Sequence, residues 1–176
     1  MKGTITRCLA ELVSDKFGAD QWTTILADAG LSDQAESLTS LSADIEDAAI
    51  GKLLGSTCKV LGISLPQAAD AFGEYWCCTY APRLYPAIVD RFKTAKEMVL
   101  GMDQVHGELT RSVPGANPPR IVYEWQDDRT LRTTYQSNRG MLDIFIGLVK
   151  GAGVYFNEDI KVAKIGANMA EIVFSA

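Results

Sequence analysis

Apolar residues in the first half of the chain recur every three or four positions, the spacing of helices that bury one face. Ile5, Leu9, Leu12, Val13 and Phe17 share a side, which predicts a first helix over 4–17 with Gly18 as its stop. Asp20 is a candidate cap for a second helix, which carries Trp22, Ile25 and Leu26 and ends at Gly30. Residues 31–43 are rich in Ser, Thr, Asp and Gln and read as a loop. Asp44 opens a third helix to about Leu61. Ser64-Leu65-Pro66 begins a fourth, with proline in its first turn, and Pro82 limits it beyond Ala69, Phe72, Gly73 and Trp76. Pro82 and Pro86 bracket a turn or short helix. A longer helix follows, from about Ala87 or Phe92 to Thr110, and Pro114, Gly115 and Pro118-Pro119 break it.

Beyond Pro119 the period changes to two. Residues 120–125 and 130–137 alternate around Gln126-Asp127-Asp128-Arg129 and predict a β-hairpin. Residues 141–156 return to a helical period through Met141, Ile144, Phe145, Leu148 and Val149. Two short strands, 159–165 and 168–174, turn at Gly166-Ala167-Asn168. The fold class is α+β: helices first, then a small four-stranded antiparallel sheet with an inserted helix. With 176 residues the chain is one domain, or one domain of two lobes.

Composition narrows the function by exclusion. The chain is 47% hydrophobic and 22% charged, ordinary for a globular protein. A net charge of −5 with scattered basic residues argues against nucleic acid. No signal-like start and no apolar run of spanning length appears, so the expected place is the cytoplasm, without membrane insertion. Cys8, Cys58, Cys77 and Cys78 have no C-x-x-C spacing and read as reduced core or pocket thiols. No G-x-S-x-G, P-loop, dinucleotide fingerprint or H-E-x-x-H is present, and an enzyme is not expected.

The candidate chemistry lies between Met102 and Arg139. His106 is the single histidine of the chain, in a helical stretch with Met98, Val99, Met102, Val105 and Leu109 on or beside its face. A lone histidine on a helix is more often a packing residue than a ligand. Zinc would need companions that are missing here. About thirty residues on, Tyr135, Ser137 and Arg139 fall at i, i+2, i+4. On an extended strand they would share a face and offer a phenol, a hydroxyl and a guanidinium to a carboxylate or phosphate. The bland alternative is a solvent-facing strand, although the alternation is not cleanly amphipathic. One imidazole plus an anion-binding strand fits a metal that brings its own ligands. Haem, with four porphyrin nitrogens and two propionates, is such a group.

The M-D-x-x-H turn at His106, Pro119 in P-P-R, and Tyr135-x-Ser137-x-Arg139 together resemble the H-NOX family of haem–nitric oxide/oxygen binding domains. The likeness runs from M-K-G-T-I through F-G-E-Y-W at 72–76 to the last strand. It implies a helical distal lobe over about 1–65 and a proximal lobe over about 66–176, with haem b between them. It further implies His106 as proximal iron ligand, propionates held by Tyr135, Ser137 and Arg139, and Pro119 pressed on the porphyrin. Met102, Ile5, Leu9, Ile144 and Leu148 would surround the cofactor, with Trp76 on the distal side; Tyr80 beside it reads as packing. Oxygen-binding members carry a tyrosine at the position matching Ile144. Its aliphatic side chain therefore implies a sensor of nitric oxide, and carbon monoxide, that excludes oxygen. The signal would pass to a separate protein such as a histidine kinase or a cyclic-di-GMP enzyme. Three alternatives stay open at this stage: an oxygen sensor using Trp76 as donor, a haem-free interaction module, and a cysteine-based redox module.

Overall fold

A computed structural model describes residues 1–175, and the chain divides into two compact units that meet in sequence at Ala68 and Ala69. The first unit holds α1 (Gly3–Phe17), α2 (Ala19–Ala29), α3 (Ala35–Thr39) and α4 (Asp47–Leu61). Helix α2 packs on α1 and α4, and α3 on α1. The predicted apolar faces supply the core: Leu12, Val13, Ile25, Leu26, Ile50 and Leu53 are all buried.

Three expectations change here. Residues 31–43 are not a loop. A 3-10 turn (Ser32–Gln34) leads into α3, because Leu31 and Leu38 are buried at 4% and 0% and anchor the segment from one side. Its polar residues serve the helix backbone: the Ser37 hydroxyl donates to the Gln34 carbonyl at 2.9 Å, and that of Thr39 to Ala35 at 3.1 Å. Asp44 does not open α4. It bridges to Lys2, whose ammonium it meets at 2.7 Å, while Glu46 occupies the N-cap position. Asp20 does not cap α2 through its side chain either; Gly18 takes that position and Asp20 lies in the first turn, where a carboxylate favours the helix dipole.

In the second unit, α5 (Leu65–Tyr75), which begins just before it, does not stop at Pro82. A π turn over Trp76–Tyr80, with the Ala81 N–H bonded to the Trp76 carbonyl, carries the chain into α6 (Ala81–Leu84). The wider turn lets the helix pass a residue that lacks an N–H. After the short α7 (Pro86–Val89), α8 (Ala95–Ser112) starts later than predicted. The Thr94 hydroxyl accepts the Glu97 N–H at 3.0 Å, and the Glu97 carboxylate accepts the Lys93 N–H at 2.7 Å, a reciprocal cap that fixes the start.

Strands β1 (Arg120–Trp125), β2 (Thr130–Gln136), β3 (Ile160–Lys164) and β4 (Met169–Phe174) form one antiparallel sheet in the order β1-β2-β4-β3. Helix α9 (Leu142–Phe156) lays Leu142, Phe145, Ile146 and Val149 on the inner sheet face of Ile121, Leu131, Tyr135, Ala170, Ile172 and Phe174, with Val99 of α8. The fold is therefore α+β, as the patterning predicts. Helices α5 and α9 touch backbone to backbone. A Cβ on Gly147 would overlap the Ala69 carbonyl, and one on Gly73 would overlap the carbonyl of Gly147. Only glycine permits that approach. Beside it Lys150 reaches both carboxylate oxygens of Asp70, at 2.9 and 2.8 Å.

Candidate functional site

Helix α8 carries His106 on a face whose neighbours Met98, Val99 and Val105 are buried, with Met102 one turn earlier half-buried. Its Nδ1 lies 2.8 Å from the Pro119 carbonyl oxygen. A carbonyl only accepts, so Nδ1 carries the proton and Nε2 is left as a lone-pair donor. Burial holds the imidazole below its ordinary pKa; the Pro119 carbonyl and the Asp103 carboxylate pull it back up, and the Arg120 charge lowers it again. Burial thus favours the neutral ring. Among the described residues no three His, Cys, Asp or Glu side chains converge in a cluster that could hold a metal ion.

Asp103, one turn before His106, meets the start of β1. Its Oδ1 accepts Arg120 Nε at 2.8 Å and the Ile121 N–H at 2.9 Å, and its Oδ2 accepts Arg120 Nη2 at 2.5 Å. The Arg120 guanidinium holds the Asp103 carboxyl below the usual carboxylate range, with the Ile121 N–H assisting. Nearby, the Tyr123 phenol donates to the Val99 carbonyl at 2.5 Å. Neither Asp103 nor Arg120 is singled out by the sequence reading. Their signal was the aspartate of M-D-x-x-H and the arginine that follows the proline pair.

Tyr135, Ser137 and Arg139 do not share one strand face. Strand β2 ends at Gln136, where its pairing with Arg120 of β1 ends, and β4 pairs no further than Thr134. With no partner beyond, the chain turns toward Gly140 at φ 63°. The turn still gathers the three. The buried Tyr135 ring lies 5.8 Å from that of Phe145. Burial raises its phenol pKa, and the Ser137 hydroxyl and Arg139 charge oppose that rise. The Arg139 N–H donates to Ser137 Oγ at 3.3 Å, while its Nη1 donates to the Asn117 carbonyl at 2.6 Å. The donor set is thereby tied to the loop that carries Pro119. A phenol, a hydroxyl and a guanidinium are donors suited to carboxylates, and the imidazole of His106 offers a nitrogen to a metal, the two kinds of group that haem would need.

The apolar candidates divide between the units. Trp76, Met102 and Leu148 pack against one cluster of Cys77, Ala81, Val89, Ala95, Met98 and Ala152. The Trp76 ring stacks near Phe72, Tyr80 and Tyr85 at 5.9, 5.3 and 6.4 Å. Ile144 is half-buried on α9, one turn before Leu148. In the first unit, Leu9 is buried on α1 and Ile5 half-buried. Cys8 and Cys77 are core thiols as expected, and burial pushes Cys77 up to about 12, too high for a ready nucleophile. Cys78 departs from the expectation, being exposed, and Cys58 is half-buried.

A family model described as haem-NO-binding matches residues 2–164. An H-NOX protein from S. oneidensis in the Fe(II) ligation state, a triple mutant, superposes at a TM-score of 0.87 with 20% identity, over 100% of this chain and 97% of that one. The S. oneidensis H-NOX protein in the Fe(II)NO state gives 0.84 at 19% identity, over 99% and 98%. An oxygen-binding H-NOX domain related to soluble guanylate cyclases, in its oxygen complex, gives 0.81 at 23%, over 100% and 96%. At these identities the likeness carries the fold. Among the described residues no single helix is long and apolar enough to cross a membrane.

Proposed function

The chain belongs to the haem-NO-binding (H-NOX) family, and on that premise we propose a non-enzymatic haem sensor of nitric oxide in which His106 would hold the iron. The observation that carries the assignment is the 2.8 Å bond from His106 Nδ1 to the Pro119 carbonyl, which leaves Nε2 as the nitrogen for iron. Tyr135, Ser137 and Arg139 would hold the propionates. Pro119, Met102, Leu148 and Trp76 would contribute contacts to the porphyrin. When bound, ferrous haem supplies the gas-binding metal. The protein's part is to present a neutral imidazole, to anchor two carboxylates and to shape the gas pocket.

Selectivity rests on Ile144. Dioxygen would gain from a hydrogen-bond donor at this position, whereas nitric oxide and carbon monoxide would depend on one far less. An aliphatic side chain donates nothing, and an unpaired polar oxygen beside it costs roughly 1–3 kcal/mol. That is about one to two decades of affinity. The sensor therefore binds nitric oxide and carbon monoxide and forms no lasting oxygen complex in air. Its output passes to a separate signalling protein such as a histidine kinase or a cyclic-di-GMP enzyme.

The test is His106→Gly. The variant loses its Soret band on purification, or keeps it only when imidazole is supplied to fill the vacated place. Full haem occupancy with an unchanged ferrous spectrum would overturn the ligand assignment.

A further inference from the structure

We infer that Asp103 is a positioning residue for His106: by gripping Arg120 and Ile121 it fixes the Pro119 carbonyl against Nδ1 and so sets how Nε2 is presented to iron. The inference rests on the reading of His106 as the haem ligand and goes beyond it. Its basis is a run of consecutive residues, each bonded to α8. Pro119 gives its carbonyl to His106, Arg120 gives its guanidinium fork to Asp103, and Ile121 gives its N–H to the same carboxylate. Asp103 and His106 lie three apart, so the strand entry is held at two points one turn apart on a single helix face.

The alternative is that this clamp merely ties α8 to the sheet. Two observations count against it. Arg120 is more than half exposed, at 56% of its side chain, and an exposed pair contributes little to stability. A second tie lies one turn away, where the Tyr123 phenol bonds the Val99 carbonyl and the Ile121 side chain is buried in the sheet core. The packing of α8 on β1 therefore survives loss of Arg120. What loses its support is the carbonyl just before Arg120, at the end of a loop that the Arg139 guanidinium also holds through the Asn117 carbonyl. Outer partners of this kind orient a metal-ligating imidazole and raise its basicity, and their loss typically lowers metal affinity roughly 10–100-fold.

The single histidine makes the test direct. In haem-loaded, ferrous, carbon monoxide-bound protein labelled with 15N-histidine, one ring N–H resonance reports the Nδ1–Pro119 bond. In Asp103→Ala that proton shifts upfield and exchanges with water faster, and the iron–histidine stretch of the unliganded ferrous protein falls. Asp103→Asn, which keeps an acceptor for the Ile121 N–H, and Arg120→Ala, which keeps Asp103 itself, show the same changes in smaller measure. Arg120→Lys lies between Arg120→Ala and the unmodified chain, because it restores charge without the fork. The inference is overturned if folded Arg120→Ala and Asp103→Asn proteins show the unmodified resonance, exchange rate and iron–histidine stretch, whatever their melting temperatures. These two variants decide the matter even where Asp103→Ala does not fold. A failure of His106→Gly to lose haem would instead overturn the ligand assignment, so the two failures are separable.

Discussion

Replacing Arg139 by Ala removes a guanidinium from the turn that it forms with Ser137 after β2. The guanidinium donates to the Asn117 carbonyl, and the side chain is half-buried. A hydrogen bond to a charged group contributes about 1.5–3 kcal/mol net. Partial solvent screening moves the value for a propionate at this site to roughly 1–2 kcal/mol. The variant should then release haem about 5–30 times faster. Ser137→Ala removes a neutral bond of about 0.5–1 kcal/mol and should speed release only about two- to fivefold. Arg139→Lys keeps the charge without the fork and should fall between them. Transfer of haem to excess apomyoglobin, followed by absorbance, measures the rates. Because Arg139 also steadies the Asn117 loop, the iron–histidine stretch should be recorded alongside: an unmoved stretch assigns the faster release to propionate anchoring. Release from Arg139→Ala and Ser137→Ala at the unmodified rate would refute the role of the turn in holding propionates.

Ile144→Tyr places a phenol donor on α9 and should give a spectrum of oxygen-bound ferrous protein that persists in aerated buffer. An unmodified protein that already does so would point to Trp76 as an effective donor. Gly147→Ala drives a methyl into the Ala69 backbone. Overpacking of this kind costs about 1–3 kcal/mol, which lowers the melting temperature by roughly 2–12 °C; a melt within one degree or so of the unmodified chain would show that α5 and α9 can part.

Periodicity made most of the fold legible, since the apolar faces predicted from spacing supply the buried core, although Phe17 at the end of the first is 44% exposed. It failed where polar residues work locally. Ser37 and Thr39 bond their own helix carbonyls, and only Leu31 and Leu38 disclosed that the segment packs. Pro82 misled because a π turn absorbs the missing donor. The start of α8 was written in Thr94 and Glu97, a capping pair three residues apart that the apolar pattern overrode. In the candidate site, His106 and the tyrosine–serine–arginine set could be found by residue type, but their geometry could not. Whether Arg139 sits on a strand depends on how far β1 and β4 accompany β2, which is a property of pairing. The bond from His106 to Pro119 links residues across a chain reversal that no local spacing encodes.

The last strand of the chain lies inside the sheet, because β4 pairs with β2 on one side and β3 on the other. As the chain is made from its amino end, α8, β1 and β2 emerge with His106, Pro119 and Tyr135 already in place in sequence. Strand β2 then waits with one edge unpaired until residues 169–174 arrive. Ala170, Ile172 and Phe174, buried at 0%, 0% and 4%, supply the side chains that close the core behind Tyr135. The residues that would hold haem are thus synthesised well before the surface that gives them their geometry. A chain that lacked β4 would leave that edge of β2 unpaired and the core behind Tyr135 open.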